Sequence, residues 1–186
     1  MAIVKLAKNG FGQIELNQAA FRRDGRIEAQ CALDATEFGN GEFAENGMLF
    51  AIDRANHSLK KATEALAANH VIGINYSSEH MYDERKSGLK NFALKRGEFL
   101  PRLGYPAAGD KYTTNTVCYD NSTITDLDAT LDAIATTPLY AGIASDGTGY
   151  WELTATMPTA GPVAQVVEKT TMPDGQLAVM LEIIKA

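Results

Sequence analysis

The sequence predicts a mainly β protein, a small β-barrel or β-sandwich-like fold built from hairpins with one or two short helices. Three observations predict it. Turn signals recur along the whole chain, at Asn9-Gly10, Asp24-Gly25, Asn46-Gly47, Asp146-Gly147 and Asp174-Gly175. The runs between them are short and either apolar or alternating. At the C-terminus, two alternating runs flank an Asp-Gly turn directly. Gly and Asn reach positive φ cheaply, as tight hairpins require, and a period of two marks a half-buried strand.

In chain order, Ile3 to Lys5 is a short strand, followed by Gln13 to Leu16. Gly25 to Leu33 is a longer candidate that sets Ile27, Ala29 and Cys31 on one face. Met48 to Ile52 is a compact apolar run between Asn46-Gly47 and Asp53. Ser58 to Asn69 reads two ways: Ala and Lys favour a helix with Leu59 and Leu66 on one face, yet the segment can also pair beside Met48 to Ile52. Val71 to Tyr76 alternates. Thr125 to Ala135 carries Leu127, Leu131 and Ile134 at helical spacing, with Thr125 as cap and Asp126 and Asp128 at the positive end of the dipole. Gly149 to Thr156 is a strand leading into the last hairpin. There Val163 to Lys169 and Leu177 to Ile183 flank a two-residue Asp174-Gly175 loop. No repeat of 20–50 residues and no low-complexity linker divides residues 1–186, which read as one β-rich domain. Polar residues at 120–125 mark a soft division into two lobes.

Composition narrows the function. The chain has 186 residues, 45% of them hydrophobic and 22% charged, with a net charge of −6. Those are globular values, and roughly 70% of the unfolded surface can be buried at this length. No apolar run approaches the ~20 residues of a membrane span, and the N-terminus lacks a signal-peptide pattern. The acidic balance argues against a nucleic-acid coat. Two cysteines, Cys31 and Cys118, are too few for a disulfide framework or a four-cysteine zinc site, and both lie in apolar or β-rich runs that suit buried thiols.

Catalytic motifs are missing from the sequence. His57, His70 and His80 have no metal-ligand spacing, and Glu79 to Glu84 lacks the Gly-centred pattern of an EF-hand. There is no Gly-x-Ser-x-Gly elbow, Walker motif or dinucleotide fingerprint. The expectation is a non-enzymatic protein without catalytic residues, metal or cofactor.

Charge distribution points elsewhere. Seven basic residues lie between Arg85 and Lys111 against Glu98 and Asp110 alone, a net +5 that leaves −11 on the rest of the chain. Phe92, Phe99, Tyr105 and Tyr112 are interleaved with them. Aromatics and Arg are the enriched anchors of protein interfaces. A basic aromatic stripe on an acidic protein fits either a protein contact or a solvated loop better than single-stranded nucleic acid.

One stretch adds a resemblance. Glu45-Asn46-Gly47-Met48-Leu49-Phe50-Ala51-Ile52-Asp53, then Leu59-Lys60-Lys61-Ala62-Thr63, then Val71-Ile72-Gly73-Ile74-Asn75-Tyr76-Ser77-Ser78-Glu79 resembles the capsid decoration (cement) proteins of tailed bacteriophages. The likeness covers about 35 residues: a Gly-led apolar strand, a Lys/Thr connector and an apolar strand entering an acidic turn. Gly109-Asp110-Lys111-Tyr112-Thr113-Thr114-Asn115 is similar to the strand openings of small virion proteins. The basic middle segment and the second half have no counterpart in the minimal cement module.

The resemblance implies a structural virion protein, made in the host cytoplasm, that binds the outside of a capsid and cements neighbouring subunits of the major capsid protein, itself a homo-oligomer, most often a trimer. It implies no nucleic acid or membrane partner. The expected contact residues are Ile3, Val4 and Leu6, as an N-terminal arm or an ordinary first barrel strand, and Phe92, Arg96, Phe99 and Arg102 in the basic stripe. Two alternatives stand beside it: a tail-tube or head–tail connector subunit, and a small carbohydrate-binding β module using Tyr150 and Trp151 as a stacking platform.

Overall fold

A computed structural model describes residues 2–39, 41–77 and 88–186. Its strands are β1 (Ile3–Lys5), β2 (Ile27–Glu28), β3 (Ala32–Leu33), β4 (Ala44–Glu45), β5 (Leu49–Asp53), β6 (Ser58–Lys61), β7 (Val71–Asn75), β8 (Ala93–Leu94), β9 (Leu103–Gly104), β10 (Lys111–Thr114), β11 (Val117–Asp120), β12 (Tyr140–Ile143), β13 (Trp151–Thr154), β14 (Val163–Thr171) and β15 (Leu177–Lys185). Three short helices join them: α1 (Ala20–Arg23), α2 (Glu64–Ala67) and α3 (Leu127–Asp132). The mainly β reading holds, with one helix more than expected.

The strands form a seven-stranded sheet in the order β1-β11-β13-β12-β14-β15-β10, a six-stranded sheet in the order β2-β9-β7-β5-β6-β3, and the pair β4-β8. The chain's first strand lies beside β11, so both ends of the sequence belong to one sheet. On either side of residues 120–125, β11 and β12 belong to that same sheet, and Ile124 is buried in its core.

The longest strands, β14 and β15, form the predicted hairpin. Its loop differs from the expected two residues. Met172 N–H donates to Gln176 O at 2.8 Å, leaving Pro173, Asp174 and Gly175 as a three-residue loop with Gly175 at φ +82°. Proline pre-sets the first turn position, and Gly takes the left-handed one. A bulge at Val167 turns that side chain out to 37% exposure.

Ser58 to Asn69 resolves as both alternatives in succession. β6 pairs antiparallel with β5, and the Thr63 side chain then accepts from Leu66 N–H to cap α2. In α3 the cap is Asp126, whose carboxylate accepts from Ala129 N–H, and not Thr125. Gly25 to Leu33 is not one strand. It breaks into β2 and β3, which pair with different neighbours, so Ile27 is 38% exposed while Cys31 is buried. Gln13 to Leu16 contributes a single bridge, Ile14 to Thr114.

Two hydrophobic cores result, one on each side of β5. Leu49 and Ala51 enter the first with Trp151, Leu153, Val179, Leu181 and Ile183; Phe50 and Ile52 enter the second with Cys31, Phe38, Leu59, Phe92 and Leu94. A strand buried on both faces reads as a continuous apolar run, as Met48 to Ile52 does. Phe21 of α1 lies against Gly104, where an added Cβ would meet its ring at 1.9 Å.

Candidate functional site

The segment between β8 and β9 carries the exposed part of the basic stripe. Lys95 N–H donates to the Glu98 carboxylate at 3.0 Å, Glu98 N–H donates back to Lys95 O at 3.2 Å, and Gly97 takes φ +87°. This closed turn ends just before Phe99 and Leu100, which are 54% and 47% exposed. Arg96 is exposed on the same turn, and the Lys95 amine lies 5.4 Å from the Phe43 ring centroid. Buried Pro101 and the main chain of Arg102 anchor the loop's return: Arg102 N–H donates to Ser77 Oγ at 2.8 Å, and Tyr76 N–H donates to Arg102 O at 3.0 Å.

The structure therefore divides the expected stripe. Arg96 and Phe99 sit together on the exposed loop, with half-buried Arg102 at its base. Phe92 is a correction: it closes the turn Leu89–Asn91 just before β8, is 3% exposed, and packs with Leu94 in the second core, where apolar burial takes the ring out of the stripe. Tyr112 is fully buried. Leu100 is the residue the sequence reading missed, although its place between Phe99 and Pro101 continues the apolar exposed run. Arg85, Lys86, His80 and the acidic cluster Glu79 to Glu84 lie outside the described residues.

At the N-terminus, Ile3 and Val4 are half-buried in β1, paired with Asp120 and Tyr119, and Leu6 is a core residue at 2% exposure. The segment is an edge strand of the seven-stranded sheet and not a free arm. Gln176 holds the residues just after it: its side-chain oxygen accepts from Lys8 N–H and Asn9 N–H, and its amide donates to Asn9 O.

Beside β1 lies a cluster that no sequence pattern announced. Glu45 on β4 accepts from Gly12 N–H at 2.6 Å and from the Tyr150 hydroxyl, and its second oxygen is 3.5 Å from the Lys5 amine. Lys5 also donates to the Tyr150 hydroxyl at 2.9 Å and stands 4.3 Å from its ring centroid. Burial, then the Glu45 carboxylate, pushes the Tyr150 phenol far above the usual tyrosine range, so it remains a donor to Glu45. Cys118, opposite Lys5 in the ladder, is held well above the thiol range by burial and then by Asp146 and Glu152. A protonated buried thiol is inert as a nucleophile. The cluster joins three distant segments and offers no activated group.

Cys31 is likewise buried, its thiol raised by burial and by Glu28. Tyr150 and Trp151 are 1% and 0% exposed, so neither presents a ring face to a sugar, which removes the platform behind the carbohydrate-binding alternative. Among the described residues no group of three His, Cys, Asp or Glu side chains could hold a metal ion, and no helix is long and apolar enough to cross a membrane. No family model, curated protein or solved structure matches the chain.

Proposed function

We propose that this protein is a structural virion component that binds the outer surface of a tailed-phage capsid and ties neighbouring shell subunits together. One observation carries the reading furthest: a closed basic turn, Lys95-Arg96-Gly97-Glu98, runs straight into the adjacent exposed apolar side chains Phe99 and Leu100. An exposed Phe beside Arg, on a loop anchored at its base, matches the residue types enriched at protein interfaces. The double-sided β scaffold supplies the rigidity that such a contact needs, and repetition over a lattice multiplies a modest affinity per site. In this role the chain acts as a homo-oligomer, most simply a trimer, on the major capsid protein, with no step of chemistry.

The test counts copies of this chain against the major shell subunit in purified particles by quantitative mass spectrometry. The expected result is a ratio near one or a simple fraction of the lattice. A few copies per particle moves the protein to the tail or connector, and absence from particles overturns the virion reading. Within a positive result, the pair Arg96→Glu and Phe99→Ser is expected to weaken capsid association by about thirtyfold, the effect of losing roughly 2 kcal/mol at a hot spot. Unchanged association of that folded double variant overturns the loop assignment.

A further inference from the structure

The seven-stranded sheet has two edges, and they are treated differently. At β10 the 13–18 segment closes the edge: Glu15 N–H donates to Thr113 O at 2.8 Å, Thr113 N–H donates to the Gln18 side chain at 2.9 Å, and Ile14 bridges Thr114. At β1 no described residue does the same. Asn121 N–H donates to Ala2 O and Leu6 N–H to Val117 O, so the main-chain groups of Ala2, Val4 and Leu6 face β11. By the alternation of an antiparallel ladder, the N–H and C=O of Ile3 and Lys5 point the other way, off the sheet.

A cleft of about 360 Å³ opens beside the C-terminal end of this edge. Its apolar lining comes from Leu6, Tyr119, Leu127 and Leu177, and Lys5 and Lys8 stand at its rim. The one carboxylate there, Asp174, accepts from the side chains of Gln13 and Gln176. Lys8 is exposed and carries no ion pair among the described residues; Lys5 keeps 47% of its side chain in solvent despite its contact with Glu45.

We propose that the outer edge of β1 is a docking site for an extended acidic segment of a partner protein. The segment adds as an eighth strand through the outward main-chain groups of Ile3 and Lys5. One alternate apolar side chain enters the cleft, and its carboxylates meet Lys5 and Lys8. Main-chain bonds supply affinity in this mode, and the side-chain pocket supplies selectivity. Charge decides between occupants. Lysine on an edge strand discourages pairing with a second copy of the same edge, whereas it attracts a segment of opposite sign. This edge shares no residue with the 95–102 loop, and its docking role does not depend on the virion reading.

The probe is the acetylated, amidated peptide Glu-Val-Glu-Leu-Glu-Val-Glu, with its Lys-for-Glu counterpart as control. Binding is measured by fluorescence anisotropy, and amide hydrogen exchange is followed at residues 3 and 5. The expected result is saturable binding of the acidic peptide, slowed exchange at both amides, and at least tenfold preference over the basic peptide. Ile3→Pro deletes one outward N–H while leaving the bonds to β11, a substitution that edge strands tolerate; it is expected to weaken binding at least tenfold. Lys8→Glu, at an exposed position, is expected to weaken it about fivefold and keeps the test open if the proline variant does not fold. No saturable binding up to about 1 mM, a Kd worth roughly 4 kcal/mol, overturns the proposal. So does equal binding of both peptides, or unchanged binding by either folded variant. Exchange at residues 3 and 5 that slows with protein concentration alone also overturns it, and gives the edge to a second copy.

Discussion

The two cores on either side of β5 are built in different ways. The first is assembled mainly from regular strands: Val179, Leu181 and Ile183 alternate along nine-residue β15, and Ala141, Ile143, Trp151 and Leu153 join them from β12 and β13 of the same sheet. The second sets Phe50, Ile52 and Leu59 of β5 and β6 against two-residue strands and loops, with Cys31, Phe38, Phe92 and Tyr150 arriving from four separate segments. On that side, side-chain hydrogen bonds to loops and short strands add to the ladders of the six-stranded sheet. Glu45 gathers Gly12, Lys5 and Tyr150; Thr116 donates to Asn46 O, and Asn75 donates to Glu45 O at 2.8 Å. A ladder spreads its bonds over many residues, whereas an anchor concentrates them on one. The first core should therefore fail through lost packing, and the second through lost polar partners.

Matched truncations test that contrast most strongly. Leu181→Ala and Leu59→Ala remove the same atoms from positions that are both 0% exposed. Rigid strands around Leu181 relax little, so about 4 kcal/mol is expected there. Leu59 shares its core with Cys31, Phe38 and Phe92 from loops outside regular strands, which collapse further, for a cost of about 2 kcal/mol, both within the range for buried leucine. Urea unfolding measures both, and equal costs break the comparison.

Overpacking has the next largest effect. Gly104→Ala drives a methyl into the Phe21 ring, and a cost of about 3 kcal/mol is expected unless the ring moves. The double variant with Phe21→Leu should recover part of that loss in the same assay.

Loss of the polar anchor costs less. Glu45→Ala strands the Gly12 N–H and the Tyr150 hydroxyl, at about 2 kcal/mol for lost buried partners. Tyr150→Phe should cost less again, because Glu45 keeps Gly12 and Lys5. If Tyr150→Phe costs the more, packing and not the anchor governs this side.

The smallest effect is a pH slope. Cys118 and Tyr150 are held protonated in the fold above their ordinary values of 9.0 and 10.0. Above pH 9 the unfolded chain loses protons that the folded chain keeps, so stability falls as pH rises, by about 1 kcal/mol per group per unit. Cys118→Ala should flatten the slope between pH 9 and 10 in thermal melts. At the acid end the sign reverses. Asp34 and Asp53 accept hydrogen bonds from Thr36 and from Asn56 and lie below the usual 3.8, so stability is lost as pH falls beneath that value.

Legibility in the sequence follows the same division. The β14–β15 hairpin, β5, β7 and α3 were readable because each carries its own period and its own turn or cap. The Gly25 to Leu33 run misled because alternation cannot reveal that a chain turns a corner between Glu28 and Ala32. In the candidate site, Arg96 and Phe99 were readable as a charged aromatic surface. Phe92, seven residues before Phe99 and identical in type, was not separable from it, since pattern does not say which aromatic meets a core. Glu45, Lys5 and Tyr150 are separated by 40 and 105 residues, and no local signal links them.

By itself, then, the sequence determined the β class, the position of most turns and the location of the basic segment. These depend on backbone preferences and short-range periodicity, which act within a few residues. Tertiary structure decided that the first strand joins the sheet that also holds β10, that β5 is buried on both faces, and that among the described residues no strand pairs with the outer edge of β1. Those outcomes depend on which distant segments exclude water from one another, and that contest is settled only when the whole chain packs.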